Sequence, residues 1–475
     1  MNERQRAAVR SNALYLRQVR PIDPDEIHEY VEGAPHPAAV RQVLREQALD
    51  LGLLEREDGT FVPASDEPIS VDFDGVTGLP DRHLRPLETL LVEEFGPVWH
   101  EGQSGDSLRD RIREMKAGYL SGETVDYDRL TALGYAIYHL PAYYATTQYV
   151  LAELAADARL PGAIRVVDVG AGVGGPALGL IDLLPADVLV EYHAIEPSAA
   201  ADVFELLLDD VRPNVHVTVH RQTAESFDLA SITGEDDIDL CLFANVLSEL
   251  DHPAQVARRY YDALDDDGTF VAIEPADRNT AIGLRDVERS LADDGPATVY
   301  GPTLRLWPGR RPESECWSFD VKPDVTVPAV QSKLETAASD PDHTAGEFEN
   351  TDVQYAYSIL TSDGNRRLSL TASRDRYVPM SEAEDVVTER IDLLAVKLSH
   401  DLATDGNPLY LVGDGSEETD HYAVRAEPSV LNDALQTANY GAVLHFENAL
   451  LLWNDDEGAY NIVVHAETVV DRVAG

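Results

Sequence analysis

The chain has 475 residues, of which 86 are acidic and 37 are Lys or Arg, so its formal net charge is −49. Hydrophobic residues make up 44% of it, which is enough for buried cores and excludes a disordered acidic chain. The two cysteines, Cys241 and Cys316, exclude a disulfide scaffold. No apolar run approaches the roughly 18–20 residues that span a bilayer, and the first 20 residues lack the apolar core of a secretory signal. These features predict a cytoplasmic monomer without a membrane partner.

The acidic residues are spread along the whole chain, and lysine occurs only at Lys116, Lys322, Lys333 and Lys397. This composition is typical of a halophilic protein, because about 1 M salt shortens the Debye length to about 3 Å and screens the repulsion. Clusters of arginine stand out against that background, and arginine binds phosphate bidentately at short range. The arginines predicted to bind RNA are Arg4, Arg6, Arg10, Arg305, Arg310 and Arg311. The alternative is that each pairs with carboxylates of the same chain.

Residues 1–75 are predicted to form a winged-helix-like domain. Helices are expected over residues 3–18, 23–33 and 37–52, the second of them capped by Asp23 and Pro24. Two short strands then flank Asp58-Gly59, which is a strong hairpin signal. Three helices followed by a wing are typical of nucleic-acid-binding domains, and the same layout serves protein docking. Both interpretations stay open.

Residues 76–155 are predicted to be a helical lead-in that is interrupted at Pro141 and whose tyrosines pack in the core. Residues 156–375 alternate strands and helices, which predicts a parallel sheet with helices on both faces, the Rossmann-like arrangement. Within that segment, residues 301–335 are rich in Pro and Arg and are predicted to be an irregular insertion. Residues 353–362 are predicted to add an antiparallel edge strand.

Residues 376–475 contain mostly strands, separated by glycine-containing turns. Five strands with one intervening helix-like segment predict a small OB-like β-barrel, a fold that commonly binds single-stranded nucleic acid. A plain β-sandwich is the alternative. The predicted fold class is therefore α/β, with a winged-helix and helical region before the Rossmann-like domain and a barrel after it.

A glycine-rich motif, DVGAGVGG at residues 168–175, directly follows an apolar strand. Its glycines let the backbone turn tightly and approach a ligand closely at the carboxyl edge of the sheet. The motif satisfies both the dinucleotide pattern G-x-G-x-x-G and the D-x-G-x-G-x-G pattern of S-adenosylmethionine (SAM) binders. We favour SAM, with NAD as the second reading, because Asp168 adds a negative charge that suits a sulfonium better than a pyrophosphate.

The other predicted cofactor contacts follow the carboxyl ends of successive strands. Glu196 ends the second strand and is placed to accept hydrogen bonds from both ribose hydroxyls, although NAD sites use the same device. After the fourth strand, NVLSEL at residues 245–250 is similar to the N-V-L-x-E-L segment of many methyltransferases. The complete set of predicted cofactor contacts is Asp168, Gly170, Ala171, Gly172, Gly174, Glu196, Thr223, Ala224, Asn245 and Val246.

No catalytic residue is assigned from the sequence. Methyl transfer from a sulfonium needs alignment and exclusion of water rather than an acid–base pair. The chain lacks N-P-P-Y and a Pro-Cys pair after the fourth strand, so methylation of the adenine amino group and covalent attack on cytosine C5 are unsupported. Cys241 lies within a strand and is expected in the core, and Glu274 after the fifth strand is a candidate to face the acceptor.

The helix ALGYAIYHLPAYYATTQYVLAEL, followed by VVDVGAGVGGPALG, resembles the mitochondrial small-ribosomal-subunit methyltransferase-like proteins and their prokaryotic relatives. CWSF at residues 316–319 and YAYSI at residues 355–359 are similar to later segments of that family. The resemblance covers about residues 80–375 and points to an archaeal member of halophilic type. It implies a Rossmann-like methyltransferase domain, association with the small ribosomal subunit, and a role in rRNA modification or subunit assembly.

The chain departs from that family in one stretch. Family members often carry a cysteine cluster before the CWSF-like segment, which implies an iron–sulfur site. Here Cys316 alone remains, and an iron–sulfur cluster needs about four ligands, so neither an iron–sulfur cluster nor another metal is expected. Arg305, Arg310 and Arg311 occupy the loop instead.

The resulting hypothesis is a SAM-dependent methyltransferase that acts on small-subunit ribosomal RNA or assists assembly of the small subunit. Two alternatives stay open. One is a catalytically inactive, RNA-binding assembly factor, and the other is a SAM-dependent methyltransferase for a small molecule or a protein.

Overall fold

The structure is a computed structural model that describes residues 1–65, 67–121, 125–209, 211–232 and 238–474. The chain forms two compact units. The first comprises Met1–Ala244 and Asp324–Asp352, and the second comprises Asn245–Pro323 and Val353–Gly475. The predicted methyltransferase-like segment, residues 156–375, therefore contributes to both units, and the division into four segments stays a prediction.

The helices and strands of the described residues are numbered in chain order. The α-helices are α1 (Glu3–Leu16), α2 (Pro24–Ile27), α3 (Pro37–Glu46), α4 (Ala48–Leu51), α5 (Asp81–Phe95), α6 (Gly102–Ser121), α7 (Arg129–Tyr138), α8 (Leu140–Ala156), α9 (Gly175–Leu183), α10 (Ala200–Leu207), α11 (Pro253–Tyr261), α12 (Arg278–Ala292), α13 (Ala329–Thr336) and α14 (Asp433–Thr437). The strands are β1 (Leu53–Glu55), β2 (Phe61–Pro63), β3 (Ala163–Val169), β4 (Leu189–Ile195), β5 (Val215–His220), β6 (Ile238–Ala244), β7 (Leu264–Pro275), β8 (Thr298–Gly301), β9 (Asp320–Lys322), β10 (Val353–Thr361), β11 (Arg390–Lys397), β12 (Leu409–Gly413), β13 (His421–Arg425), β14 (Val443–Asn454), β15 (Ala459–Val464) and β16 (Val469–Ala474).

The first unit begins with four helices and a hairpin. A capping box starts α1, in which the Asn2 side chain accepts from the Gln5 N–H at 2.9 Å and the Gln5 side chain accepts from the Asn2 N–H at 3.1 Å. Asp23 caps α2. These helices and the β1–β2 hairpin enclose an apolar core that includes Val9, Ala13, Val40, Leu44 and Phe61. The first helix and the hairpin lie where the sequence predicts them, whereas α2 is shorter than the predicted second helix and the predicted third helix is divided into α3 and α4. The winged-helix assignment stays a prediction.

The helices α5–α8 lie within residues 76–155, the segment that the sequence predicts to be helical, and its assignment as a separate lead-in segment stays a prediction. Pro141 lies in the first turn of α8. Proline has no backbone N–H, and the N–H groups of a first helical turn have no partner within the helix, so proline is tolerated there. The expectation that the tyrosines of this segment pack in the core is confirmed for Tyr144 alone, and it is wrong for the four that remain half-buried, Tyr135, Tyr138, Tyr143 and Tyr149. A tyrosine ring commonly keeps its polar end toward water while its face packs.

The parallel sheet of the first unit has the strand order β5-β4-β3-β6, and each neighbouring pair is parallel. Its central strand β3 is buried at every position except the first, as expected for a parallel strand covered on both faces. The alternation predicted from the sequence is therefore confirmed here. The carboxyl ends of β3 and β4 bring the glycine motif and Glu196 to one edge of this sheet.

The second unit contains an antiparallel arrangement around β10. This strand pairs with β7 along one side and with β8 and β9 along the other. The antiparallel direction was predicted, but the prediction of an edge strand is wrong, because β8 and β9 cover the outer side of β10.

The predicted irregular insertion at residues 301–335 also needs correction. It contains β9 and most of α13, and β8 ends at its first residue. Val330 and Leu334 lie four residues apart on α13 and are both buried. The sequence therefore contains the apolar face of a helix, although its high proline content indicated irregular structure. Prolines such as Pro328 precede the helix rather than interrupt it.

The C-terminal strands form a closed five-stranded barrel, which confirms the predicted barrel and excludes the β-sandwich. The ring runs β11-β12-β13-β15-β14 and closes through pairing of β14 with β11. The β13–β15 pair is parallel and the other pairs are antiparallel. The helix α14 lies between β13 and β14, the third and fourth of these strands in chain order, where the sequence predicts a helix-like segment. Buried side chains that fill the barrel include Leu393, Leu444, Phe446 and Ile462.

Among the helices in the described part of the chain, none combines the length and the apolar composition that crossing a membrane requires.

Candidate cofactor site

The glycine-rich turn begins where β3 ends and leads into α9. Gly170, Gly172 and Gly174 have φ angles of 70°, 55° and 94°, which glycine adopts without the strain of a side chain. A Cβ atom at Gly174 would also lie 3.0 Å from Phe204 Cδ2, whereas a Cβ atom at Gly172 would have no close neighbour nearer than 3.9 Å. The turn therefore depends on glycine, and it leaves room beside the backbone of Gly172.

Four N–H groups of this turn have partners within the chain. The Gly172 N–H donates to Oε2 of Glu196 at 2.9 Å. Three further N–H groups donate to backbone carbonyls at 2.9–3.2 Å, those of Gly170, Ala171 and Gly174. A pyrophosphate site needs unpaired N–H groups at the start of a helix. These four groups are not offered to a phosphate, whereas the N–H groups of Gly175 and Ala177 in the first turn of α9 have no partner among the described residues, so the dinucleotide interpretation stays open.

Glu196 directly follows β4 and is held by backbone on both of its oxygens. In addition to the Gly172 contact, Oε1 accepts from the Ser198 N–H at 2.9 Å. The residue is 7% exposed, and its own N–H donates to the His220 carbonyl at the end of β5. Because an ionised carboxylate has about four acceptor positions, two of them remain for hydroxyl donors such as those of a ribose.

Asp168 is fully buried in β3, immediately before the turn. The Tyr192 hydroxyl donates to its Oδ2 at 2.6 Å, whereas its Oδ1 has no hydrogen-bond partner among the described residues. Burial raises the pKa of Asp168 to about 7, against the lowering effect of the Tyr192 bond and with a smaller contribution from the charge of Glu196. A buried carboxyl with an unused oxygen favours a cationic ligand, because a cation offsets the cost of ionisation.

Thr223 and Ala224 lie in the turn after β5, the strand next to β4. The Thr223 side chain is exposed and its hydroxyl donates to the Ser226 hydroxyl at 3.0 Å, while Ala224 is buried. The structure thus brings the turn to the same edge of the parallel sheet as Asp168 and Glu196, and the adenine contact of both residues stays a prediction.

Asn245 and Val246 belong to the second unit and stay predicted cofactor contacts. Asn245 has a positive φ of 59°, and its N–H donates to the Ile273 carbonyl at 2.7 Å. The segment that follows is held by Glu274, which accepts from the Leu247 N–H at 2.8 Å and from the Ser248 hydroxyl at 3.1 Å. Burial raises the pKa of Glu274 to about 8, against the lowering effect of these bonds.

Two tyrosines of this region were not singled out as site residues from the sequence. Tyr192 holds Asp168, and the available signal was a phenol in the middle of the predicted strand β4, because a buried phenol needs a polar partner. Tyr135 lies beside the turn, with its Cε1 atom 4.0 Å from the position of a Cβ at Gly172. Nothing local in the sequence indicates that contact, because α7 is distant in the chain from the glycine motif.

The helix α8 packs closely against α9, the helix that the turn begins. A Cβ atom at Gly175 would lie 3.1 Å from Tyr143 Cβ, and one at Gly179 would lie 2.7 Å from the Tyr144 carbonyl oxygen. These two glycines therefore let the helices approach more closely than any side chain would allow.

The prediction that Arg305 binds RNA is wrong. Its side chain is 10% exposed and its guanidinium lies 2.8 Å from Asp293 and 3.4 Å from Glu288. Glu288 also binds Arg285 at 2.6 Å and accepts from the Ser358 hydroxyl. The arginine therefore completes a buried charge network, whose carboxylates lie on or next to α12, a helix that the sequence analysis did not identify.

The other five predicted RNA-binding arginines form exposed ion pairs at 2.5–3.4 Å, which are Arg4–Glu32, Arg6–Glu46, Arg10–Asp50, Arg310–Glu382 and Arg311–Asp294. Each of these five arginines thus pairs with a carboxylate of the same chain, which is the alternative to RNA binding given above. Exposed pairs contribute only about 0–1 kcal/mol, so a phosphate competes with them readily, and RNA binding by these five stays a prediction.

Within the described residues no group of three or more His, Cys, Asp or Glu side chains is arranged to hold a metal ion. Cys241 is buried in β6, which confirms the core prediction. Cys316 is buried as well, and burial raises the pKa of its thiol to about 12.

Comparison with known families gives two partial matches. Residues 6–57 match the N-terminal domain, and residues 381–473 the C-terminal domain, of a domain of unknown function, DUF8157. The first range covers the opening helices and β1, and the second covers the barrel. No curated protein matches the chain.

Among solved structures, similar chains include three methyltransferases. The CurJ carbon methyltransferase has 14% identity and a TM-score of 0.32 over 76% of this chain and 91% of its own. A putative O-methyltransferase from Nostoc punctiforme has 14% identity and a TM-score of 0.29 over 75% and 95%. The plantazolicin methyltransferase BpumL, in complex with SAH, has 8% identity and a TM-score of 0.30 over 59% and 98%. TM-scores this low do not establish a shared fold. The description of the fold therefore rests on the strand order.

The substitution Asp168→Asn should flatten the dependence of stability on pH. The raised pKa means that the fold favours the protonated carboxyl, so its stabilisation is complete below about pH 4 and is lost as the pH rises through about 7. Between about pH 5 and pH 8, the wild type should lose on the order of 3 kcal/mol of unfolding free energy relative to the variant. Urea denaturation of both proteins without ligand measures the free energy of unfolding at each pH. A difference in unfolding free energy between the two proteins that stays constant with pH would contradict a raised pKa of Asp168.

The substitution Arg305→Ala should destabilise the protein by about 3 kcal/mol, because it leaves buried Glu288 and Asp293 without one of their counter-charges. The matched control is Arg311→Ala, which removes an exposed arginine of the same loop and should leave stability nearly unchanged. Denaturant unfolding measures both. An Arg305→Ala protein that keeps its stability and loses RNA affinity would restore the original prediction.

Proposed function

We propose that the first unit binds SAM at the glycine turn and that the protein is a SAM-dependent methyltransferase. The observation that carries this proposal is the buried Asp168 Oδ1, which has no hydrogen-bond partner among the described residues and lies just before a turn in which four N–H groups are already hydrogen-bonded. Such a site favours a cation over an anion. SAM is cationic at its sulfonium and its ammonium, whereas the pyrophosphate of NAD is anionic.

Each residue of the turn then has a definite task. The Asp168 carboxylate provides the negative charge, and Glu196 offers its remaining lone pairs to the ribose hydroxyls. Small residues let the backbone approach the ligand, and these are Gly170, Ala171, Gly172 and Gly174. When bound, SAM supplies a methyl group activated for transfer to a nucleophile. The protein contributes position and exclusion of water, so the lack of an acid–base pair at the turn is compatible with the proposal.

Isothermal titration of SAM into the full chain tests the cofactor. The wild type should release heat, and Glu196→Gln should weaken binding about tenfold or more, because hydrogen bonds to a charged group are worth about 1.5–3 kcal/mol. Affinity should also rise as the pH passes through about 7, since a cation binds the ionised form of Asp168.

The matched control is Glu205→Gln, which removes an exposed carboxylate of α10 that pairs with Arg221 and is not among the predicted cofactor contacts. It should bind SAM like the wild type. Absence of heat with the wild type, equal affinity of the Glu196→Gln protein, or tighter binding of NAD than of SAM would overturn the proposal.

We further propose that the partner is the RNA of the small ribosomal subunit, either as methyl acceptor or as an assembly substrate. This rests on the resemblance of residues 80–375 to the small-subunit methyltransferase-like family. It is supported by the exposed positions of Arg4, Arg6 and Arg10 along α1, which has Glu3 as its only acidic residue.

Crosslinking in cells, combined with methylation mapping after deletion of the gene, distinguishes the candidates. Crosslinks to small-subunit RNA together with a lost methyl group support the enzyme, and crosslinks with an unchanged methylation map support the inactive assembly factor. Absence of crosslinks would favour a small molecule or a protein as acceptor. The triple change Arg4→Ala, Arg6→Ala and Arg10→Ala should reduce crosslinking, whereas Arg85→Ala, which removes an exposed arginine of α5, should not.

A further inference from the structure

The barrel carries a cavity of about 430 Å³ that is separate in sequence from the glycine turn. It is lined by the segment 380–387 that precedes β11, by the loop between β12 and β13, and by the β14–β15 hairpin. Its volume is within the range of about 300–1,000 Å³ that small-ligand sites occupy.

Two aromatic rings form one wall of this cavity. Trp453 on β14 is the register partner of Tyr460 on β15, and their ring centroids are 4.8 Å apart at an interplanar angle of 67°. On the opposite side, the ring of His421 stacks on Tyr460 at 4.9 Å. Burial lowers the pKa of His421 to about 4, so the stack carries no positive charge. Trp453 remains 41% exposed, so part of its indole ring is open to a ligand.

Two carboxylates stand beside these rings. Glu384 and Glu418 both line the cavity. Burial raises the pKa of the Tyr460 phenol and the charges of these two residues raise it further, which indicates that both lie near its hydroxyl. Among the described residues neither has an ion-pair partner, whereas Glu382 in the same segment pairs with Arg310 and Arg374.

The cavity is held open by contacts of its own wall. The Met380 N–H donates to Oδ2 of Asp414 at 2.9 Å, and the Ser381 N–H donates to the Ser416 hydroxyl oxygen at 3.1 Å. Met380 and Ala383 are buried in the barrel core. The segment is therefore fixed before any ligand arrives, and little ordering cost falls on binding.

We infer that this cavity binds the side chain of an arginine carried by a basic segment of a partner protein. A guanidinium is planar, so it stacks on the face of a Trp or Tyr ring and at the same time donates in a fork to carboxylates. The described side chains of the cavity include Glu384 and Glu418 but no Lys, Arg or His, so a cation meets attraction without competition.

The same charges disfavour two other occupants. The phosphates of a nucleic acid would be repelled by Glu384 and Glu418, so we do not expect this face of the barrel to bind RNA. Free arginine has the same net charge as an arginine within a peptide chain, but it ends in a hydrated ammonium and carboxylate in place of peptide groups, and the two glutamates repel that carboxylate when it approaches them, so we expect free arginine to bind more weakly. The protein segment is therefore the favoured source of the cation, and this inference does not depend on SAM binding.

Titration of the full chain with a terminally blocked Gly-Arg-Gly peptide, followed by calorimetry and by tryptophan fluorescence, tests the inference. The arginine peptide should bind and perturb the fluorescence of Trp453. A citrulline peptide, which has nearly the same shape without the charge, should bind at least about tenfold more weakly. Free arginine should bind more weakly than the arginine peptide, and oligouridine should not bind at the cavity.

Matched variants test whether the arginine peptide binds in this cavity of the barrel. The double change Glu384→Gln and Glu418→Gln should weaken binding of the arginine peptide about tenfold or more, and Trp453→Leu should abolish the fluorescence response and weaken binding. The control, Glu467→Gln with Asp471→Asn, removes two exposed charges of the same barrel and should leave affinity unchanged. Equal affinity of the two double variants, equal binding of the citrulline peptide, or competition by oligouridine would overturn the inference.

Discussion

A carboxyl group removed from water at the end of β3 governs the chemistry of the first unit. Asp168 has one oxygen bound to the Tyr192 hydroxyl and one oxygen without a partner, so the fold carries an unbalanced polar atom in its interior. Burial of this kind is costly unless a donor or a cation arrives. The adjacent turn uses four of its N–H groups for Glu196 and for backbone carbonyls, so those four are not available to an anion. The unpaired carboxyl oxygen of Asp168 favours a ligand with a positive charge at this end of β3.

The local parts of this arrangement could be predicted from the sequence, and the long-range parts could not. The glycine motif and Glu196 are recognisable because each directly follows a strand, and the carboxyl ends of parallel strands share one edge of a sheet. The barrel was predictable for a similar reason, since its strands and turns alternate at short spacing. By contrast, the partners of Asp168 and Gly172 lie 24 residues away in the chain, and no local pattern indicates them.

Arg305 shows the same limit most clearly. In the sequence it belongs to a basic loop, and a basic loop in an acidic chain indicates phosphate binding. In the structure it lies against Glu288 and Asp293, carboxylates supplied by and just after a helix that the pattern of residues did not reveal. The edge assignment of β10 failed likewise, because the strands that cover it are only three and four residues long. Charge statistics alone cannot tell an ion pair inside a fold from a surface that awaits a partner.

The contact between α8 and α9 has a consequence for the energetics of ligand binding. Gly175 and Gly179 bring the two helices together without an intervening side chain, and Gly175 is also the first residue of α9 after the turn. The turn is thereby anchored at both ends, by β3 on one side and by a helix pair on the other. Because the backbone of the turn is held in place before a ligand binds, the turn loses little conformational entropy on binding. Selectivity at this edge of the sheet then comes from shape and charge fixed in advance rather than from closure around the ligand.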